Sequence, residues 1–184
     1  MIRKNKGGKI TNEILEAIRT RRSVKSYCAE PVPNDLLSEI VSAGTYAASG
    51  MNRQSPIILN ITDRTVRDML SDLNRRVGGW QEGFDPFYGA PNVLCVLADK
   101  AVGTYLYDGS LVMGNLMLAA HALGISSCWI HRAKEVFEMP EGKAILQKLD
   151  ITGDYEGIGF CILGYAHGEY PATKPRKENR IFTV

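Results

Sequence analysis

Apolar positions recur at helical spacing in the first part of the chain and as unbroken runs later on. Ile14, Leu15 and Ile18 form one stripe behind Thr11 or Asn12, either of which can cap a helix ending near Thr20. Pro33, Asn34 and Asp35 open a second helix with Leu36, Leu37, Ile40, Val41 and Gly44 on its inner face. Val66, Met69, Leu70 and Leu73 predict a third over residues 65–73. Residues 56–62, 93–98, 126–130 and 157–165 read as four buried strands. From 109 to 130 there is no Asp, Glu, Lys or Arg, but Gly114, Asn115, His121, Gly124 and two serines interrupt the run. A bilayer span needs ~20 predominantly apolar residues, so the pattern fits a buried helix over 109–123, capped by Asp108, followed by a strand. A helix apolar nearly all round needs a cover, and in a chain this small a second subunit is the usual one. Short helices at 133–137 and 143–149 hinge at Met139 and Pro140. Strands separated by helices without strict βαβ alternation indicate an α+β (mixed α/β) fold.

Two connections stand out. Gly44, Ala47, Ala48, Ser49 and Gly50 leave room for a planar ring to approach the backbone, although a plain helix end followed by a loop explains them equally well. Residues 74–91, with Trp80, Phe84, Phe87, Tyr88 and several glycines, are too many for a turn. They read as a lid or pocket wall, or as ordinary loop packing. At 184 residues the chain is expected to form one domain over 1–184, with a flexible tail at 1–10 and an extended arm at 168–184. Hydrophobic residues at 45%, charged ones at 23% and a net charge of +2 suit a soluble globular protein, and give no global basicity for nucleic acid. Cys28, Cys95, Cys128 and Cys161 form no C-x-x-C and read as reduced thiols of a cytoplasmic protein. The opening MIRKNKGGKI has no apolar segment behind its charges, so no signal peptide is expected there.

The side chains themselves suggest little chemistry. His121, His131 and His167 lack metal-ligand spacing, there is no G-x-S-x-G, and both nucleotide-binding glycine motifs are missing. What remains is Arg21-Arg22-Ser23-Val24-Lys25, answered far away by Lys174-Pro175-Arg176. Alone the first is a solvated basic turn, but its guanidinium forks, hydroxyl and ammonium are also the donors that suit a phosphate ester. The reaction then falls to a cofactor.

In order and spacing, RRSVK, ASGMNRQSP, YDGSLVMGNLMLAAHALGISSCWI and KPR resemble the FMN-dependent nitroreductase family over about residues 12 to 180. The resemblance implies a mostly antiparallel sheet of four to five strands flanked by helices, in a homodimer that exchanges its C-terminal segments. It implies that Arg21, Arg22, Ser23, Lys174 and Arg176 hold the FMN phosphate and that Lys25 contacts the ring. Ser49, Gly50 and Asn52 would come from the partner subunit, and Trp129, Ile130 and His131 would run along the ring with a backbone N–H facing N5. Asn52 and Gln54 carry amides able to pair with the ring's pyrimidine edge. Family members pass hydride from NADH or NADPH to nitroaromatic, quinone or related small electron-poor molecules by a ping-pong route. Here Trp129-Ile130-His131-Arg132 replaces the Pro-x-Glu-Gly of one well-known branch, Ala48 replaces a proline, and Gln54-Ser55-Pro56 replaces Gln-Pro-Trp. A flavin- or nucleotide-binding carrier without turnover is the second reading, and a small anion- or RNA-binding module the third.

Overall fold

The structure, a computed structural model, describes residues 3–4 and 10–184, so most of the expected N-terminal tail lies outside the described residues. Within it, β1 (Arg3–Lys4) pairs antiparallel with β2 (Ile10–Thr11). Asn12 then caps α1 (Glu13–Thr20), its Oδ1 accepting from the Ile14 N–H at 2.9 Å. The Ile14, Leu15 and Ile18 stripe is exposed on this chain.

α2 (Asn34–Thr45) buries Leu37, Ile40 and Gly44, and a single 3-10 turn (Gly50–Asn52) leads into β3 (Pro56–Ile61). There follow α3 (Arg64–Gly78), β4 (Asn92–Asp99), α4 (Tyr105–Ala122), β5 (Ser126–Ile130), α5 (Ala133–Glu138), α6 (Pro140–Lys148) and β6 (Tyr155–Gly164). The four longer strands form one antiparallel sheet in the order β3-β4-β6-β5, so β3 and β5 are its two edges. This is the expected mixed α and β architecture with four strands in the main sheet.

β4 shows why the sheet is covered on both faces. Val93, Cys95 and Leu97 point into a core shared with Leu70, Leu73, Phe87, Phe137 and Phe160. Leu94, Val96 and Ala98 point the other way, into Leu37, Ile40, Met113 and Leu116 of α2 and α4. Alternate side chains leave a strand on opposite faces, so an unbroken apolar run is what a doubly covered strand requires. Among the described residues no helix is long and apolar enough to cross a membrane.

Two expectations need correction. α4 starts at Tyr105, four residues before the expected 109, and Asp108 lies inside its first turn, not at its cap. The buried Asp108 carboxylate accepts instead from the Gly50 N–H at 3.0 Å and the Thr104 hydroxyl at 2.8 Å. α3 continues to Gly78, five residues past the expected 73, and closes with Gly79 at φ 67°. Asn74 and Gly78 thus belong to a helix, and the long connection shrinks to 79–91. The small residues at 44 and 50 also allow close packing within the chain. A Cβ on Gly44 would fall 2.5 Å from Leu116, and one on Gly50 2.4 Å from Thr104.

α5 presses on β6 in the same way, because a Cβ on Gly157 would meet the Ala133 carbonyl carbon and oxygen at 2.4 Å. Backbone cannot swing aside as a flexible side chain can. Gly157→Ala is therefore expected to cost about 3 kcal/mol of unfolding free energy, measured by chemical denaturation. A loss under about 0.5 kcal/mol would show that α5 is free to move.

Candidate functional site

α1 ends at Arg21, whose backbone turns extended (φ −55°, ψ 131°), and the chain runs along the outer edge of β5. Ser23 forms a parallel bridge with Ser127, and the Val24 N–H donates to the Ser127 carbonyl at 3.1 Å. Buried Val24 anchors this segment while Ser23 and Lys25 on either side stay exposed. Around the bridge, buried donors are left over. Arg21 Nη1, Arg22 Nε and Ser127 Oγ are buried and have no hydrogen-bond partner.

The distant basic segment comes back to this edge. The Arg22 N–H donates to the Tyr170 hydroxyl at 2.8 Å, and Arg22 Nη2 donates to the hydroxyl of Thr173, the residue before Lys174. A clasp holds the arm here. His121 Nε2 lies 2.8 Å from Thr20 Oγ1, its Nδ1 lies 3.3 Å from the Tyr170 hydroxyl, and the His121 and Tyr170 rings stack at 5.9 Å. Thr20 already gives its hydroxyl proton to the Glu16 carbonyl at 2.8 Å, so His121 donates from Nε2, and in the neutral ring Nδ1 then accepts from Tyr170. Burial, then the charges of Arg21 and Arg22, lower the His121 pKa. None of Arg21, Arg22, Lys25, Lys174 or Arg176 enters an ion pair among the described residues. Two adjacent guanidinium groups and buried donors without acceptors are what a bound phosphate would satisfy. The residues present therefore fit the phosphate of a flavin mononucleotide.

A wall of rings continues from Lys25. Its Nζ sits 5.4 Å from the Tyr88 ring centre, Tyr88 meets Phe84 edge-on at 6.0 Å, Phe84 meets Trp80 at 5.2 Å, and Arg132 lies 4.6 Å over Trp80. One carboxylate sets the shape of this loop. Asp85 accepts from Arg67 Nη2 at 2.6 Å, from the Ser71 hydroxyl, and from the Phe87 and Gly89 N–H groups at 2.8 Å each. Burial pushes its pKa up, but the hydrogen bonds from Arg67, Ser71, Gly89 and Phe87 outweigh it and hold the carboxyl below its ordinary value. Arg67 itself is buried and also bonds the Ala90 carbonyl at 3.2 Å. Residues 79–91 thus make a fixed wall.

The remaining expected site residues are divided. Trp129 packs half-buried against the α2–α4 core, Ile130 is buried, and His131 is exposed with its carbonyl accepting from Asn74 Nδ2 at 2.7 Å. Ser49, Gly50, Asn52 and Gln54 sit elsewhere, beside the start of β3 on the opposite sheet edge. Three strand spacings of about 4.8 Å put roughly 14 Å between those edges. In that turn Met51, Asn52 and Gln54 all have positive φ, near 50°, and Gln54 Nε2 donates to Asn52 Oδ1 at 3.0 Å. The Gly50 N–H, already given to Asp108, is not free for a ligand.

Sequence reasoning missed Ser127, His121, Tyr170, Thr173 and Arg132. Nothing local singles them out, since their partners are far away along the chain. A thiol or metal mechanism gains no support. Burial raises the pKa of Cys95 and Cys128 and pushes Cys161 up to about 12, and among the described residues no group of three acidic, His or Cys side chains could hold a metal.

Comparison with known proteins adds the following. The sequence model of the nitroreductase family matches residues 18–165. An FMN reductase [NAD(P)H] from Bacillus subtilis (strain 168) is 31% identical over 159 residues, 71% of this chain and 61% of that protein. A nitroreductase with bound FMN from Bacteroides fragilis NCTC 9343 superposes with a TM-score of 0.86 at 30% identity, over 95% of this chain and all of the other. Another with bound FMN, from Desulfitobacterium hafniense DCB-2, gives 0.84 at 25% identity over 95% and 99%.

Asp85→Ala is expected to cost about 2–3 kcal/mol, because it leaves the buried Arg67 with only the half-exposed Asp68 as a counterion and frees the Phe87 and Gly89 N–H groups. The native Asp85 pKa is depressed, so its stabilisation is present above the unfolded value, ~3.9, and is lost as pH falls through the native value. Equal acid denaturation of wild type and Asp85→Ala would contradict this. For the clasp, the imidazole of His121 should titrate in NMR with a midpoint below ~6.5, moving up toward that value in Tyr170→Ala. An unmoved midpoint would mean that the arm does not cover the ring.

Proposed function

The chain belongs to the nitroreductase family, and we propose that it is an FMN-dependent oxidoreductase using NADH or NADPH. Bound FMN supplies the two-electron relay, by which a hydride from the nicotinamide reaches a nitroaromatic, quinone or related electron-poor acceptor in a ping-pong exchange. The observation that carries this reading is the set of orphaned donors on the β5 edge, Arg21 Nη1, Arg22 Nε and Ser127 Oγ.

In this reading Arg21, Arg22 and Ser23 grip the phosphate, and the clasped arm brings Lys174 and Arg176 toward the same anion. Charged hydrogen bonds of ~1.5–3 kcal/mol each can supply much of a sub-micromolar affinity, near −8 kcal/mol. Lys25 places positive charge where reduction loads negative charge on the ring, and Trp129 to His131 line it. No side chain need move a proton, because solvent can deliver it.

We further infer a homodimer. α4 leaves Leu106, Tyr107 and Leu111 exposed, and a groove of about 630 Å³ lined by Ile14, Ala17, Asn115 and Leu118 runs beside it. A second copy covering this face supports the expected burial of α4 and would bring its own Ser49–Gln54 turn to the first copy's basic edge. The extended arm from 168, pinned on its own chain at Tyr170 and Thr173, has the remainder to exchange. Four unpaired thiols support a cytoplasmic setting.

Protein purified without added cofactor should be yellow, and anaerobic NADH or NADPH should bleach it. Yellow protein that neither nicotinamide bleaches would point to a carrier without turnover. Arg21→Ala should lose most of its flavin while keeping its circular dichroism, and full retention would mean that the phosphate is held elsewhere.

A further inference from the structure

Phosphate binding leaves the ring wall and Arg132 unexplained. Arg132 lies two residues past β5, at the N-cap of α5, and has φ 76°, ψ 17°, a left-handed conformation that glycine adopts freely and a residue with a Cβ adopts under strain. Its guanidinium lies 4.6 Å over Trp80, and Trp80 is itself held against Gly78, where a Cβ would fall 2.4 Å from the ring. Trp80, Phe84 and Tyr88 then lead to Lys25, so a cation stands at each end of an aromatic wall that Asp85 holds in shape.

Three carboxylates around the wall are already paired, whereas exposed Glu82 and Glu135 enter no ion pair among the described residues. Asp85 is bound by Arg67, Asp72 by Arg75 and Arg76, and Glu141 by Arg76. Arg132 and Lys25 enter no ion pair among the described residues. A planar guanidinium without a counterion matches a carboxylate with two parallel donors, and fixed ring faces suit a flat conjugated molecule.

Resting on the function proposed above, we propose that this wall is the acceptor subsite and that Arg132 makes it selective for planar electron acceptors bearing a carboxylate or similar anionic group. Lys25 marks the flavin end of the wall and Arg132 the far end, so the acceptor's acidic substituent points away from the phosphate cradle. The 2′-phosphate of NADPH is a second source of negative charge, and the test must separate it from an acidic acceptor.

The test uses flavin-loaded wild type, Arg132→Gln and Arg132→Lys, each checked for equal flavin content. kcat/KM is measured with 4-nitrobenzoate and with its uncharged methyl ester, and the NADPH to NADH ratio is measured alongside. Benzoate, which cannot be reduced, is titrated against the flavin's visible band. The acid-to-ester ratio should fall about tenfold in Arg132→Gln, the worth of one charged hydrogen bond, with the benzoate Kd rising by a similar factor and Arg132→Lys recovering part of both. Acid and ester falling together would make Arg132 a structural prop and overturn the proposal. So would a change confined to the NADPH to NADH ratio. If no variant reduces either compound, the reductase reading fails by itself, and the benzoate titration still decides whether Arg132 binds a carboxylate.

Discussion

Positive charge that is partly buried and has no counterion dominates one edge of this molecule. Taking a donor out of water without an acceptor costs about 1–3 kcal/mol, and more when the group is charged. Arg21 Nη1, Arg22 Nε and Ser127 Oγ all carry that penalty around a single backbone bridge. The surrounding fold maintains the arrangement. The capped α1 delivers Arg21, buried Val24 keeps the segment on β5, and the His121–Tyr170 clasp holds the arm against Arg22. An anion bound here removes the penalty, so binding energy and the stability of this edge are linked.

Next to this charged edge the ring wall is tied into the fold by packing and hydrogen bonds. Phe87 and Phe160 pack in the core at 5.1 Å, and Arg67 rests 5.3 Å over Phe87 while it bonds Asp85. The aromatic loop is therefore tied to α3 through one buried cation and one carboxylate, and to the sheet through Phe87. A wall that does not have to be ordered on binding loses less affinity to conformational entropy. The raised thiol pKa values fit the same division, with side chains that hold and orient and leave the electron chemistry to a cofactor.

What could be read from the sequence follows the range of the forces involved. The strands around Cys95 and Cys161 were legible because double burial imposes an apolar run, and the α1 cap because Asn12 bonds N–H groups two and three residues away. The residues proposed to hold a phosphate stood out only as a composite of distant motifs. Asp108 was misplaced because a cap is judged from its neighbours, whereas its carboxylate serves Gly50, 58 residues away. The extra turn of α3 was hidden for the same reason, since fully buried Asn74 bonds the His131 carbonyl 57 residues on. A left-handed turn is signalled by glycine, so Arg132 concealed one.

The sheet order also bears on the homodimer proposed above. Ser23 lies on the β5 edge, and the turn from Ser49 to Gln54 enters the β3 edge, with β6 and β4 between them. On β5 the bridge lies near the end where Ser126 faces Gly164, whereas Pro56 faces Ala98 at the other end of the sheet. The two groups are thus at diagonal corners, and no side-chain rotation closes roughly 14 Å or more. In the proposed homodimer a two-fold axis would supply each corner with its complement from a second copy, because an isologous contact that places one chain's turn on the other's basic edge must do so twice. The exposed apolar face of α4 gives such a contact its area, and the symmetry gives it two equal sites.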